Sequence, residues 1–284
     1  MILMYAGQTL TCKLYSINYP GDPGAASPIF SVVSGFSVSL ITLALIGFSF
    51  SPSPMTILLG VANAAALIGY NYFFVAASRT GPYSILMTLS VIGAITVPSF
   101  VGVFAFGEGL TAIQYISLAV IVVSIYFVCR KKGAEQRPTK AFFLYCFGVF
   151  ACNGAYNALM NVQQELTGAE NKEEMVIITF FLTGVVSALI LLIQKKKNFF
   201  AAFGQTKLSL TFLLVCSTVA AVAVNLLTVV LPLLDTAIFF SFKNSGILVF
   251  SIIGSFIIFK EKISLTNIIG ALFMCAGLVC MSAF

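Results

Sequence analysis

Between Asp22 and Arg79 the chain carries no charged residue. The same holds between Arg79 and Glu108, between Glu174 and Lys195, and between Lys207 and Asp235. Crossing the hydrocarbon of a bilayer takes about 20 apolar residues as a helix, or about ten as a barrel strand. The uninterrupted segments are far longer than barrel strands. A backbone in lipid must also satisfy its own hydrogen bonds, so helices are the form these segments must take. Of all residues, 60% are hydrophobic and 8% charged, against about 25% charged in a soluble domain. A chain this poor in charge cannot cover itself with a water-facing surface, and it reads as an all-α integral membrane protein in the lipid bilayer.

The remaining composition narrows the function. The net charge of +6 at pH 7 sits in loops and not on one nucleic-acid-binding face. Basic clusters beside a span mainly set orientation. There is no histidine, the commonest general base and metal ligand. No phosphate-cradling glycine loop or serine elbow is present either. The sequence therefore points to no enzyme, metal, cofactor or nucleic-acid partner. Seven cysteines (Cys12, Cys129, Cys146, Cys152, Cys216, Cys275 and Cys280) form no CxxC pair and read as free thiols in apolar surroundings.

Apolar runs separated by polar punctuation predict ten helices, at 1–17, 29–50, 55–78, 82–105, 111–129, 140–164, 174–194, 208–230, 234–259 and 265–283. The first is short and reads as the second half of an N-terminally truncated helix. Tight connections such as "SPSP" after residue 50 and "RTGP" after Ser78 make the flanking helices antiparallel neighbours.

The ends of the two halves resemble each other. "FGEGLTAIQYISLAVIVVSIYFV" from Phe106 and "FKEKISLTNIIGALFMCAGLVCM" from Phe259 align Glu108 with Glu261, Leu110 with Ile263, Thr111 with Ser264 and Gln114 with Asn267. The offset of 153 residues divides the chain into 1–133 and 134–284, with five predicted spans each. An odd number of spans per half gives the halves opposite orientation, the inverted-repeat plan of many secondary transporters. The paired "GEGLT" and "KEKIS" motifs, each followed by a helix rich in small residues, resemble those of EamA-type transporters of the drug/metabolite transporter superfamily. That resemblance implies ten helices, a central cavity lined by the first four helices of each half, and peripheral fifth and tenth helices. It does not name a substrate.

The basic loops "RKKGAEQRPTK" and "KKKNFFAAFGQTK" face the cytoplasm under the positive-inside rule, placing both termini outside. The resemblance implies cytoplasmic termini, so the two readings disagree.

Polar groups within spans tend to face a bundle interior or a wet cavity. Asn153, Asn157, Asn161 and Gln164 recur on one face of the sixth helix, with Tyr156 beside them. Asn63, Tyr70, Asn71 and Ser78 share a face of the third, and Thr218, Asn225 and Thr228 a face of the eighth. Such stripes either line a cavity or hydrogen-bond helices together. On the ninth helix Ser241, Asn244, Ser251 and Ser255 fall within an arc of roughly 80°. Lys243 lies beside this arc, about 12 Å along the helix from Asp235. Snorkelling to the membrane surface and pairing with an anion both remain open to it. Its counterpart in the first half is Ser90. Pro98 and Pro232 are either hinges or static kinks. Glu108 and Glu261 are suited to cap the next helix N-terminus, or to carry a coupling proton.

The expectation is a multi-pass transporter of the plasma or inner membrane, in which a monomer suffices. It would move a small polar metabolite, an amino acid or related organic anion or zwitterion, by alternating access. Lys243, Asn244, Asn153, Asn157, Asn161, Tyr156, Asn71, Tyr70 and Asn225 are the candidate substrate-binding residues. The rivals are a non-transporting receptor or assembly protein with the same fold, marked by a closed dry interior, and a lipid-carrier flippase.

Overall fold

The computed structural model describes residues 1–107, 111–129, 139–167, 171–194, 206–230, 236–261 and 265–283. Glu108, Pro232, Asp235, the boundary at 133/134 and most of both basic loops lie outside them, as do the side chains of Thr228 and Ser241. Among the described residues there are ten α-helices and no strand. They are α1 (Ile2–Asn18), α2 (Pro23–Leu45), α3 (Pro54–Thr80), α4 (Tyr83–Ala105), α5 (Ala112–Cys129), α6 (Lys140–Thr167), α7 (Lys172–Gln194), α8 (Lys207–Val230), α9 (Thr236–Phe259) and α10 (Leu265–Ala283). Six of these, α2, α3, α4, α6, α7 and α8, contain segments long and apolar enough to cross a membrane.

Local chemistry sets the helix ends. The side chain of Asp22 accepts the Gly24 N–H at 2.9 Å, and Pro23 takes the first helical position, where its missing N–H has no consequence. Gly47 (φ 64°) and Phe48 (φ 60°) turn left-handed, and their N–H groups return to the carbonyls of Ala44 and Leu43. This is a glycine C-cap. The second helix thus spans Pro23–Leu45, which corrects the expected 29–50. Pro28 lies inside it, at a point where the bond it forgoes would have gone to Gly24. Ser53 caps α3 in the same manner, accepting the Thr56 N–H at 3.1 Å.

The bundle is apolar outside, and many polar groups lie inside among the apolar core. Leu40, Leu45, Leu58, Phe104, Leu144, Phe147, Ile193 and Ile257 are exposed, while Ser31, Thr42, Asn63, Asn71, Thr88, Thr183 and Ser251 are buried. This inverts the soluble pattern, and it defines a membrane-embedded protein whose outer face meets lipid. Several buried hydroxyls are satisfied by bonding back one turn, as Ser34 is by Phe30, Thr42 by Val38 and Thr88 by Ser84. Helices approach closely at glycine. A Cβ on Gly35 would stand 2.6 Å from the Phe180 carbonyl oxygen, so α2 and α7 cross backbone against backbone. Gly93 of α4 meets the Phe150 carbonyl of α6 in the same way. Without a hydrophobic driving force inside lipid, such close packing is the main source of helix association.

Two ends of the bundle can be told apart by contacts. At one, Gln163 of α6 donates to Thr56 of α3 at 3.0 Å, and Met1 packs on Leu227. At the other, Glu261, just beyond α9, meets the start of α4 and Lys13 of α1.

Candidate functional site

A cavity of about 150 Å³ lies at the centre of the bundle. Eight helices line it, and α5 and α10 contribute no lining residue among those described. From α1 come Tyr5, Gln8 and Thr9; from α3, Tyr70 and Asn71; from α4, Met87, Ser90 and Ala94. The α6 stripe supplies Asn153, Tyr156, Asn157, Asn161 and Gln164, and α9 supplies Lys243 and Asn244. Phe30 and Ser34 of α2, Lys172 and Phe180 of α7, and Ala220, Val224 and Leu227 of α8 also face it, and Leu67, Val91, Met160 and Ile247 add to its apolar surface.

Eight of the nine residues singled out from the sequence therefore meet in one place. The exception is Asn225. Its amide donates to Thr42 Oγ1 at 3.0 Å and to the Ala221 carbonyl at 2.8 Å, tying α8 to α2 away from the cavity. Its helical face was legible, but helical periodicity does not say whether that face meets a void or a neighbour. Elsewhere on that face Thr218 is exposed. On α3, Asn63 and Ser78 are buried outside the cavity wall, with no hydrogen-bond partner among the described residues.

The amides in the cavity differ in how far the protein already uses them. Asn153 donates to both the carbonyl (2.9 Å) and the hydroxyl (3.0 Å) of Ser90, joining α6 to α4. Asn157 donates to the carbonyl of Asn153 at 2.7 Å, and Asn71 to Ser31 Oγ at 3.0 Å. Asn161 has no partner among the described residues. Neither does the Nδ2 of Asn244, which is 4% exposed. Gluing and lining thus coexist on one stripe, with the bonded amides toward the α4 contact and the open one nearer the α6–α7 connection. Pro98 adds to the polarity of the wall. It has no N–H to give the carbonyl of Ala94, a lining residue.

Lys243 is buried, 6% exposed, with Nζ 5.4 Å from the centre of the Tyr5 ring. That position is inside the bundle, not at its surface, so snorkelling does not describe it. Ser90, its counterpart by the sequence offset, lines the same cavity. The two halves thus present a hydroxyl and an ammonium to one void.

Below the cavity the bundle is shut. Tyr83, fully buried, donates from its hydroxyl to the lining Thr9 at 2.6 Å. Its backbone N–H donates to Glu261 Oε1 at 2.6 Å, while the N–H and hydroxyl of Ser84 reach Oε2 at 3.3 and 3.1 Å. Ser255 Oγ also donates to Oε2. Lys13 Nζ forms a salt bridge to Oε1 at 2.9 Å and lies 4.2 Å from the centre of the Phe259 ring. Glu261 caps a helix, and among the described residues that helix is α4, in the other half of the chain. Negative charge at a helix N-terminus is favourable. Burial pushes the Glu261 carboxyl up, yet the Lys13 ammonium and the surrounding donors outweigh it and hold it below its ordinary value. Lys260 presents this carboxylate from a left-handed turn (φ 51°).

Two buried lysines escaped the sequence reading. Lys13, within the expected first helix, was not singled out. Lys172 sits in the acidic stretch "ENKEE", between the expected sixth and seventh helices. The signal was nevertheless present. Lys172, Met175, Thr179, Thr183 and Ser187 follow helical spacing, and all are buried on α7.

These features define a class, an all-helical membrane-embedded protein with a central cavity that sets polar groups in a largely apolar wall. No family model matches the chain, and no curated protein does. Solved structures do match. One, described only as "Crystal structure of protein", aligns with a TM-score of 0.66 at 12% identity, covering 99% of this chain and 94% of that one. The fold as a whole is therefore shared with a solved protein.

Proposed function

We propose that the chain is a multi-pass carrier of a small polar metabolite, an amino acid or related organic anion or zwitterion. It would work by alternating access between two inverted five-helix halves of the EamA type in the plasma or inner membrane. The observation that carries this reading is the cavity itself, central, studded with amides and lysines on a largely apolar wall, lined by both halves, and shut at one end by contacts between those halves. Lys13, Tyr83 and Ser84 belong to the first half, Ser255 and Glu261 to the second. Opening that end requires Glu261 to part from α4 and Lys13, while the halves close over the other end.

The packing supports two equivalent halves. When α1–α5 are exchanged for α6–α10, the pair α1·α8 becomes α6·α3, α1·α9 becomes α6·α4, and α2·α8 becomes α7·α3. The pairs α2·α7, α4·α9 and α5·α10 map onto themselves, and all of these pairs are in contact. Size is consistent as well, since an enclosed void of about 150 Å³ takes a molecule near the size of benzene, comparable to a small amino acid or organic acid. With no histidine in the chain, a coupling proton would fall to a carboxylate, and among the described residues Glu261 joins the halves.

Reconstituted protein should accumulate a small amino acid or organic acid in liposomes, and comparing uptake with and without a pH gradient reads out coupling. Lys243→Ala and Asn157→Leu should lower uptake by more than they lower the amount of folded protein. Unchanged uptake in Lys243→Ala would remove Lys243 from the site. A protein that binds such compounds and moves none of them would be a receptor.

A further inference from the structure

We propose that Lys172 is a second cationic post of this cavity and that the cargo is a small carboxylate anion, not a zwitterion or a cation. The inference deepens the carrier reading and rests on it for treating the bound molecule as cargo. Lys172 is 6% exposed, lines the cavity, and has no hydrogen bond or ion pair with a described residue. Glu173 and Glu174 follow it on α7, yet neither lies within ion-pair distance of it.

The position is unfavourable for a lysine on structural grounds alone. Lys172 is the first residue of α7, at the positive end of the helix dipole, where an ammonium is repelled and a carboxylate welcomed. A buried charge held without a counter-charge is retained at a loss of stability, and a ligand that brings the missing charge recovers it. The same wall holds Lys243 and the unpartnered Nδ2 donor of Asn244. Among its described lining residues no Asp or Glu offers a place for an ammonium group of the ligand. The donors to hand are an ammonium and an amide N–H₂, which suit a carboxylate.

Lys172 lies by the α6–α7 connection, and Lys243 lies seven residues into α9. An anion entering from that end meets Lys172 first. Electrostatic focusing in a low-dielectric cleft raises the local concentration of oppositely charged ligand.

The test uses the full chain in nanodiscs, with lactate, succinate, alanine and putrescine as ligands read by thermal shift and direct binding. At least one of lactate and succinate is expected to bind, with alanine weaker and putrescine silent. Lys172→Gln is expected to weaken that carboxylate by at least about ten-fold, as for loss of a charge-assisted hydrogen bond, and Lys172→Arg to retain most of the binding. The proposal is overturned if neither carboxylate binds, if alanine or putrescine binds as well as both, or if Lys172→Gln binds like the parent. Uptake of the same four compounds into liposomes separates the two readings. A carboxylate that binds and is not moved defeats the carrier and keeps the anion site, whereas uptake of putrescine keeps the carrier and defeats the anion site.

Discussion

Lys13 and Lys172 are buried to the same degree, 6% exposed, at opposite ends of one bundle, and they live in opposite surroundings. Lys13 has a carboxylate at 2.9 Å, and that carboxylate is itself held by two backbone N–H groups and two hydroxyls. Lys172 has no such partner among the described residues and opens onto a void. Burial alone therefore does not mark a functional charge in a membrane protein. What separates the two is whether the protein supplies the counter-charge or leaves that to something else.

The largest effect should come from unbalancing the closed end. Glu261→Gln removes the counter-charge of Lys13 and weakens the cap on α4. Removing one member of a buried ion pair costs about 3–5 kcal/mol. Thermal unfolding in detergent should show this as a marked fall in Tm. Lys172→Met removes a buried charge that lacks a protein partner, so Tm should hold or rise. Equal losses in both variants would erase the distinction between the two lysines.

Acid offers a second way to separate them. Folding holds Glu261 below its ordinary carboxyl value, so in mild acid the unfolded chain binds more protons than the native one. The stability contributed by the cluster is complete above the ordinary carboxylate range and is lost as pH falls through the lowered native value. A Tm series from roughly pH 7 to pH 3 should therefore drop more steeply in the parent than in Glu261→Gln. Parallel curves would mean that the Lys13–Glu261 pair contributes nothing to folding.

How much of this was legible in the sequence follows the same division. The order of the helices could be read because lipid demands long apolar runs, and the α6 stripe because amides at i, i+4 and i+8 share a face. Both ends of α2 were misplaced because the hydrophobic run does not mark them, whereas the Asp22 cap and the left-handed Gly47 set them. Glu261 was recognised as a capping residue, but its target lies 178 residues away in sequence, and no local pattern encodes that distance. Lys172 was hidden by its acidic neighbours, although the buried face of α7 runs through it.

A finer contrast lies within the amide stripe. Asn153→Ala breaks a two-point link to Ser90 and should lower stability by about 1 kcal/mol together with ligand binding. Asn161→Ala removes an amide with no partner among the described residues, so binding should fall with Tm unchanged. A drop in Tm for Asn161→Ala would move that residue from the cavity to the glue.

The smallest effect belongs to Asn225, the one sequence candidate outside the cavity. Its amide bonds Thr42 across the α2–α8 contact and the Ala221 carbonyl within its own helix. Interhelical polar contacts in lipid average about 0.6 kcal/mol, because the separated helices also find partners. Asn225→Ala should therefore lower Tm only slightly, and binding of the preferred carboxylate should match that of the parent. The residue tests the comparison because it carries the same functional group as Asn161 in the same kind of helix. If Asn225→Ala impaired binding as strongly as Asn161→Ala, whether the protein itself satisfies an amide would no longer predict its role. The distinction drawn between Lys13 and Lys172 would then lose its physical basis.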